Sequence, residues 1–207
     1  TAQLLELARA NQTGEPVGIY SICSADRSVL ETGMAQAARD GVLVLIEATT
    51  NQVNQFGGYT GMTPPDFRAF VHSIAAEIGL PAARIVLGGD HLGPHVWRAE
   101  PGGTAMGRAV DLVRAYVLAA FTKIHLDASM RLADDPSDRP LDEVTIAERA
   151  AELCVVAEAA AALLPAGTPR PVYVVGSEVP IPGGELADSA APAVTTLEAI
   201  ERTLDET

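Results

Sequence analysis

The sequence predicts an α/β fold in which residues 1–207 form the N-terminal portion of a single TIM-type (β/α)8 barrel domain, about its first five βα units. Three observations carry that expectation. Five short aliphatic runs alternate with helical stretches, the pattern of a parallel sheet with right-handed crossovers. Each run closes on a polar side chain where it meets its loop, whereas a doubly wound open sheet concentrates its site at one switch point. Neither a dinucleotide glycine fingerprint after the first run nor a P-loop is present in the sequence.

The elements follow in order. Leu4, Leu5, Leu7 and Ala8 predict a short amphipathic helix ending near Asn11, followed by a turn at Gly14-Glu15-Pro16. Residues 17–23 form the first strand, and Ser24-Ala25-Asp26 its exit and the cap of a helix that runs to about Asp40. Gly41 closes that helix where a left-handed residue is needed. Residues 42–46 are a second strand, aliphatic throughout and so buried on both faces, ending in Glu47-Ala48-Thr49-Thr50. The loop 51–65 carries amide side chains, three glycines and two aromatics, which suit polar recognition better than plain connection. Thr63-Pro64-Pro65-Asp66 starts a helix that reaches Gly79.

The third strand delivers Asp90 and His91 side by side, then passes at once into Gly93-Pro94. A carboxylate and an imidazole at a strand end are the usual ingredients of a metal ligand beside an acid or base; a helix cap and a half-buried histidine are the plainer alternative. A helix over about 104–120 leads to the fourth strand, residues 122–127. Strand alternation there puts Lys123, His125 and Asp127 on one face, the lumen in a barrel. The acidic stretch 134–140 reads as solvated surface. An Ala-rich helix over about 144–164, a fifth strand at 172–176 ending in Ser177-Glu178, and a helix beginning near Thr195 complete the reading.

Composition bounds the function. The chain is 48% hydrophobic and 20% charged, ordinary for a globular domain with a sizeable core. A net charge of −13 repels polyphosphate and anionic membranes, so nucleic acid is an unfavourable partner and a phosphorylated substrate must be held locally. Cys23 and Cys154 have no zinc or disulfide spacing, and no run approaches membrane-spanning length. A cytoplasmic protein with no signal peptide and no membrane anchor is expected.

Five segments together resemble the GatZ/KbaZ family: Ile46-Glu47-Ala48-Thr49, the loop from Asn51 through Gln55-Phe56-Gly57-Gly58-Tyr59 to Pro64, Gly88-Gly89-Asp90-His91-Leu92-Gly93-Pro94, Lys123-Ile124-His125-Leu126-Asp127-Ala128-Ser129, and Glu178-Val179-Pro180-Ile181-Pro182-Gly183-Gly184-Glu185. The likeness runs from the first strand to the fifth. Members are longer, so the chain resembles an N-terminal portion of one. The resemblance implies a place in tagatose and ketohexose-phosphate metabolism, as a D-tagatose-1,6-bisphosphate aldolase subunit. It leaves two roles open. One is a metal-dependent enzyme with its own site, a ketohexose-phosphate 4-epimerase or a lyase component working by retro-aldol and aldol chemistry. The other is a non-catalytic scaffold that stabilises a separate class II zinc aldolase chain.

The resemblance and the strand-end and loop chemistry together order the site. Asp90, Asp127 and Glu178 are expected to be catalytic, with burial raising Asp90 or Asp127 toward neutrality for proton transfer. His91 and Glu178 are the expected ligands of a divalent metal ion, zinc or similar. Glu47, Asn51, Asn54, Gln55, Lys123, His125 and Ser129 are expected to contact substrate. The expected partners are a phosphorylated ketohexose and a class II aldolase catalytic subunit, with homo-oligomerisation left open.

Overall fold

The computed structural model describes residues 2–138, 141–175, 196–198 and 201. Its elements are α1 (Ala2–Gln12), β1 (Ser21–Cys23), α2 (Arg27–Asp40), β2 (Val44–Thr49), α3 (Pro64–Ile78), β3 (Ile85–Leu92), α4 (Gly102–Leu118), β4 (Lys123–Leu126), α5 (Glu143–Ala161) and β5 (Val172–Val174). Single 3-10 turns lie at Gly58–Thr60, Ala82–Arg84 and Pro94–Trp97. The strands form one parallel sheet in the order β1-β2-β3-β4-β5. That sequential order lacks the reversal that marks a switch point in a doubly wound sheet. The helix expected from Thr195 onward lies largely outside the described residues. Among those residues no helix is long and apolar enough to cross a membrane.

Local chemistry sets the element ends. Asp26 accepts a hydrogen bond from the Val29 N–H, and Gly41 ends α2 at φ 70°, a region that costs other residues about 1–2 kcal/mol. Thr63 and Asp66 close a capping box over Pro64 and Pro65, and Gly79 ends α3 at φ 74°. β1 starts at Ser21, later than the sequence places it, because β2 begins only at Val44. The Leu45 N–H still reaches the Tyr20 carbonyl at 3.3 Å, and residues 17–19 have no partner strand along them.

Strand alternation divides the sheet into two unlike faces. One face packs on the helices: Ile46, Leu87, Ile124 and Leu126 meet Leu30 and Met34 of α2, Phe67 and Ile74 of α3, and Leu112 and Tyr116 of α4 in one continuous core. Each fully buried side chain of this size contributes about 1.5–3 kcal/mol. Tyr116 also donates its hydroxyl to the Val53 carbonyl at 2.9 Å, which satisfies it and ties α4 to the loop after β2. Helices contact in chain order, α2 on α3, α3 on α4 and α4 on α5.

The acidic stretch before α5 is not plain solvated surface. Asp135 accepts both arms of the Arg149 guanidinium at 2.6 and 2.9 Å and the Leu132 N–H at 2.7 Å, with only 10% of its side chain exposed. Asp134 accepts from the Gly102 N–H at 2.7 Å, so a distant carboxylate caps the first turn of α4. Hydrogen bonding to Arg149 holds the Asp135 carboxyl below the usual carboxylate range. A depressed carboxylate contributes stability that is present above about pH 3.9 and is lost as pH falls through its folded value. Asp135→Asn is therefore expected to cost roughly 1–3 kcal/mol at pH 7 in chemical denaturation, with the gap to wild type narrowing below about pH 4.

Candidate metal centre

The other face of the sheet is polar, and its arrangement follows from register. Cys23 pairs with Glu47, Glu47 with Gly88, and Gly88 with Lys123, so four neighbouring strands contribute one row. Gly88 leaves the middle of that row empty. A Cβ there would lie 2.6 Å from Glu47 Oε1, so only glycine lets the carboxylate of β2 cross β3 and meet Lys123 Nζ at 2.5 Å. Ser21 donates its hydroxyl to the other Glu47 oxygen. Glu47 is 5% exposed, so without these partners its charge would be a severe liability.

A β-bulge builds the next row. From Gly89 to Leu92, β3 advances three residues while β4 advances two, from Ile124 to Leu126. His91 takes up the extra residue at φ 48°, the left-handed region that a side chain seldom occupies. In a regular strand Asp90 and His91 would face opposite sides. Here both meet the β4 side chains. Asp90 Oδ1 accepts from His125 Nδ1 at 2.9 Å and Lys123 Nζ at 3.2 Å, while His91 Nδ1 lies 2.9 Å from Asp127 Oδ2. The His91 and His125 rings are 4.5 Å apart, and Thr50 fixes the strained backbone by donating to the His91 carbonyl at 2.8 Å. A backbone outlier clamped this way marks a functional site more often than a defect.

The electrostatics correct one expectation. Burial does push Asp90 upward, but the hydrogen bond from His125 and the charge of Lys123 outweigh it and hold the carboxyl well below the usual carboxylate range. Asp127 is pulled down in the same way, burial being overcome by hydrogen bonds from Ser129 and His91. Ser129 supplies both its N–H and its hydroxyl, at 3.0 and 2.6 Å. Neither aspartate is raised toward neutrality, because each faces more donors than burial can offset. Cys23 moves oppositely: burial, Asp90 and Glu47 push its thiol up to about 12, and the thiol proton points at Asp90 Oδ2, 3.7 Å away.

The donor set fits a divalent ion. Asp90, His91 and His125 bring one ligand atom each within 4.8 Å of one another. Ionised Asp127 only accepts, so His91 donates from Nδ1 and keeps a lone pair on Nε2, the arrangement by which a carboxylate orients a metal-ligating imidazole. His91 Nε2 and Asp90 Oδ2 lie 3.9 Å apart, close to the ~3.4 Å that two ligand atoms subtend at a tetrahedral ion with ~2.1 Å bonds. Glu47, Asp90 and Asp127 against Lys123 leave a charge of −2 with both imidazoles neutral, which a divalent ion cancels.

The expected site residues divide by place. Glu47, Asp90, His91, Lys123, His125, Asp127 and Ser129 come together. Glu178 and the Gly183-Gly184-Glu185 loop lie outside the described residues. Asn51 is exposed, its Nδ2 3.2 Å from His95 Nε2. Asn54 and Gln55 are otherwise engaged. Asn54 is buried, donating to the Thr50 carbonyl and accepting from the Phe56 and Gly58 N–H groups, and Gln55 donates to the Arg108 carbonyl. Both hold the loop's shape, and Gln55 Oε1 is buried without a hydrogen-bond partner. Three residues of the cluster escaped the sequence reading: Ser21, Cys23 and Gln52, whose Oε1 accepts the Thr49 N–H and lies 3.9 Å from Cys23 Sγ. The register of β1 against Glu47 is the signal that finds the first two.

Comparison with known proteins identifies the family. Residues 4–207 match the family model described as D-tagatose-1,6-bisphosphate aldolase subunit GatZ/KbaZ-like. The chain is 54% identical over 207 residues to a D-tagatose 6-phosphate 4-epimerase of Agrobacterium fabrum, covering 99% of this chain and 47% of that protein. It is 52% identical over 199 residues to the D-tagatose-1,6-bisphosphate aldolase subunit GatZ of Salmonella gallinarum, covering 96% and 46%. A crystal structure titled as a probable tagatose 6 phosphate kinase from Sinorhizobium meliloti superposes with a TM-score of 0.77 at 46% identity, over 92% of this chain and 43% of that one. The chain thus spans about half the length of the curated relatives it matches. With its sequence matched from Leu4 to the C-terminal residue, the chain belongs to the GatZ/KbaZ-like family of D-tagatose-1,6-bisphosphate aldolase subunits.

Proposed function

We propose that the protein acts on a phosphorylated ketohexose in tagatose metabolism, as a C4 epimerase that breaks and remakes the C3–C4 bond with a divalent ion, zinc or similar, held by His91, Asp90 and His125. The observation that carries this reading is the bulge at Asp90 and His91, which spends backbone strain to aim two ligand-type side chains at His125. The 54% identity to a D-tagatose 6-phosphate 4-epimerase supports the choice of substrate class and reaction. The five strands then form a sector of an eightfold barrel, whose carboxyl-end mouth is the usual place for such a site. Cytoplasmic residence follows from the substrate class.

A bound ion would supply Lewis-acid stabilisation of charge growing on the C2 carbonyl and C3 hydroxyl oxygens of the sugar. The chain's own residues do the rest. Asp127 fixes the His91 ring and its tautomer, and Ser129 fixes Asp127. Lys123 neutralises Glu47 and lies against Asp90. With Asp90 and Asp127 committed to these partners, Glu178 is the remaining catalytic carboxylate for moving the proton at the C4 hydroxyl. Asn51, which is exposed, would hold a hydroxyl of the cleaved aldehyde while it turns before re-addition. Asn54 and Gln55 shape the loop behind it.

The word subunit in the name of the 52% identical relatives favours a second reading, a helper that stabilises a separate class II aldolase chain. Interconversion of fructose and tagatose 6-phosphates, assayed on the intact protein with added divalent metal and no aldolase chain, decides between them. Turnover that requires metal is expected. Silence, relieved only by adding the aldolase chain, would replace the enzyme with the helper.

A further inference from the structure

We infer that Lys123 is an internal counter-ion that competes with the divalent ion for Asp90, and so sets how tightly and how exchangeably the site holds it. The inference rests on the metal reading above and concerns what regulates that site. Lys123 Nζ lies in the row beneath the three ligand side chains, 3.2 Å from Asp90 Oδ1 and 2.5 Å from Glu47 Oε1, with its side chain 13% exposed. A surface lysine would be free to swing into water. This one is held from below by a carboxylate that is itself fixed by Ser21 and threaded over Gly88. The positive charge is therefore built in, on the carboxylate of Asp90 that a divalent ion would also use.

Its sign is what matters. An ammonium at hydrogen-bond distance from a ligand carboxylate stabilises the metal-free site and repels an arriving cation. A merely structural lysine would do the reverse, since losing it would loosen Asp90 and weaken metal binding. Two observations place Lys123 in the first class. The Asp90 carboxylate is oriented without it, through His125 Nδ1 at 2.9 Å on the same oxygen. The Glu47 carboxylate takes no part in the ligand triad, so its attraction for Lys123 draws the ammonium away from the ion's place rather than toward it. Lys123 divides its charge between two carboxylates, and metal affinity follows that division.

Mn²⁺ binding to the intact protein, read as free Mn²⁺ by electron paramagnetic resonance at pH 7, tests this without any activity measurement. Lys123→Met is expected to bind Mn²⁺ more tightly than wild type by ~10²-fold or more, since two unit charges ~4 Å apart at an effective dielectric of ~20 already interact on the scale of a ~10³-fold change in affinity. Lys123→Arg keeps the charge and should stay close to wild type. Glu47→Gln leaves the ammonium wholly on Asp90, so affinity should fall; this variant serves if Lys123→Met fails to fold. Binding by Lys123→Met where wild type binds none would support the inference in its strongest form. If wild type binds while Lys123→Met binds equally or less tightly, or if Glu47→Gln binds as well as wild type, the counter-ion role is wrong and the metal site stands. If neither wild type nor Lys123→Met binds, the metal reading itself fails and the inference with it.

Discussion

His91→Ala will lose bound divalent metal and turnover together, with turnover falling by more than ~10²-fold. The imidazole is the ligand whose geometry is most heavily determined: Asp127 fixes its tautomer, Thr50 its carbonyl, and the bulge its direction. Even removing a group that only orients a ligand costs about 10- to 100-fold in metal affinity or activity, so removing the ligand costs more. The fold should survive. Alanine relieves the left-handed strain only slightly, and the ring's partners, Asp127 and His125, belong to the site, so a shift in denaturation midpoint would be small beside the loss of metal. Metal content by atomic emission and the steady-state rate, measured on one preparation, check the coupling. A variant that keeps metal but loses turnover would make His91 a proton carrier instead.

Gly93→Ala is expected to be the most damaging single methyl at any glycine among the described residues. A Cβ at Gly93 would sit 1.7 Å from the Asp127 carbonyl oxygen, a backbone atom that cannot rotate out of the way. The φ of −177° is open to any residue, so the obstacle is space and not torsion. The Leu92 carbonyl accepts the Asp127 N–H at 3.0 Å, and forcing the two chains apart would break this bond and pull Asp127 off His91. Overpacking usually costs about 1–3 kcal/mol and sometimes more; with two backbones in contact the upper end applies, near 3 kcal/mol. Urea denaturation should show that loss, and metal affinity should fall with it by at least ~10-fold. Stability equal to wild type would mean that the strand ends do not approach this closely.

How much of this was legible in the sequence depends on how local the cause is. Val44 to Ile46 and Ile124 to Leu126 announce buried strands because both chain neighbours and periodicity agree. Gly41, Gly79 and the Thr63-Pro64-Pro65-Asp66 start are legible because a cap needs only the residues it contains. The cluster of Glu47, Asp90, His91, Lys123, His125 and Asp127 could be read as strand-end chemistry. The bulge could not: whether Asp90 and His91 share a face is fixed by the register of β3 on β4, a relation between residues more than thirty positions apart. Cys23 and Ser21 were invisible for the same reason. The misjudged aspartate charges have a similar cause, since burial is suggested by an apolar run while the donors that overcome it come from other strands. The loop-shaping bonds of Asn54 were not legible, because an amide in a loop serves a sugar or a backbone equally well until its N–H partners are known. The acidic stretch with Asp135 looked solvated because Arg149 lies on the far side of a helix start.

The most direct test of a divalent site at Asp90, His91 and His125 is anomalous diffraction from crystals of the intact protein soaked in Mn²⁺ or Zn²⁺. The expected result is an anomalous peak bonded at about 2.0–2.2 Å to His91 Nε2, with Asp90 and His125 completing its protein ligands. Diffraction to the same resolution with no peak there, or with peaks only at surface carboxylates, would contradict it.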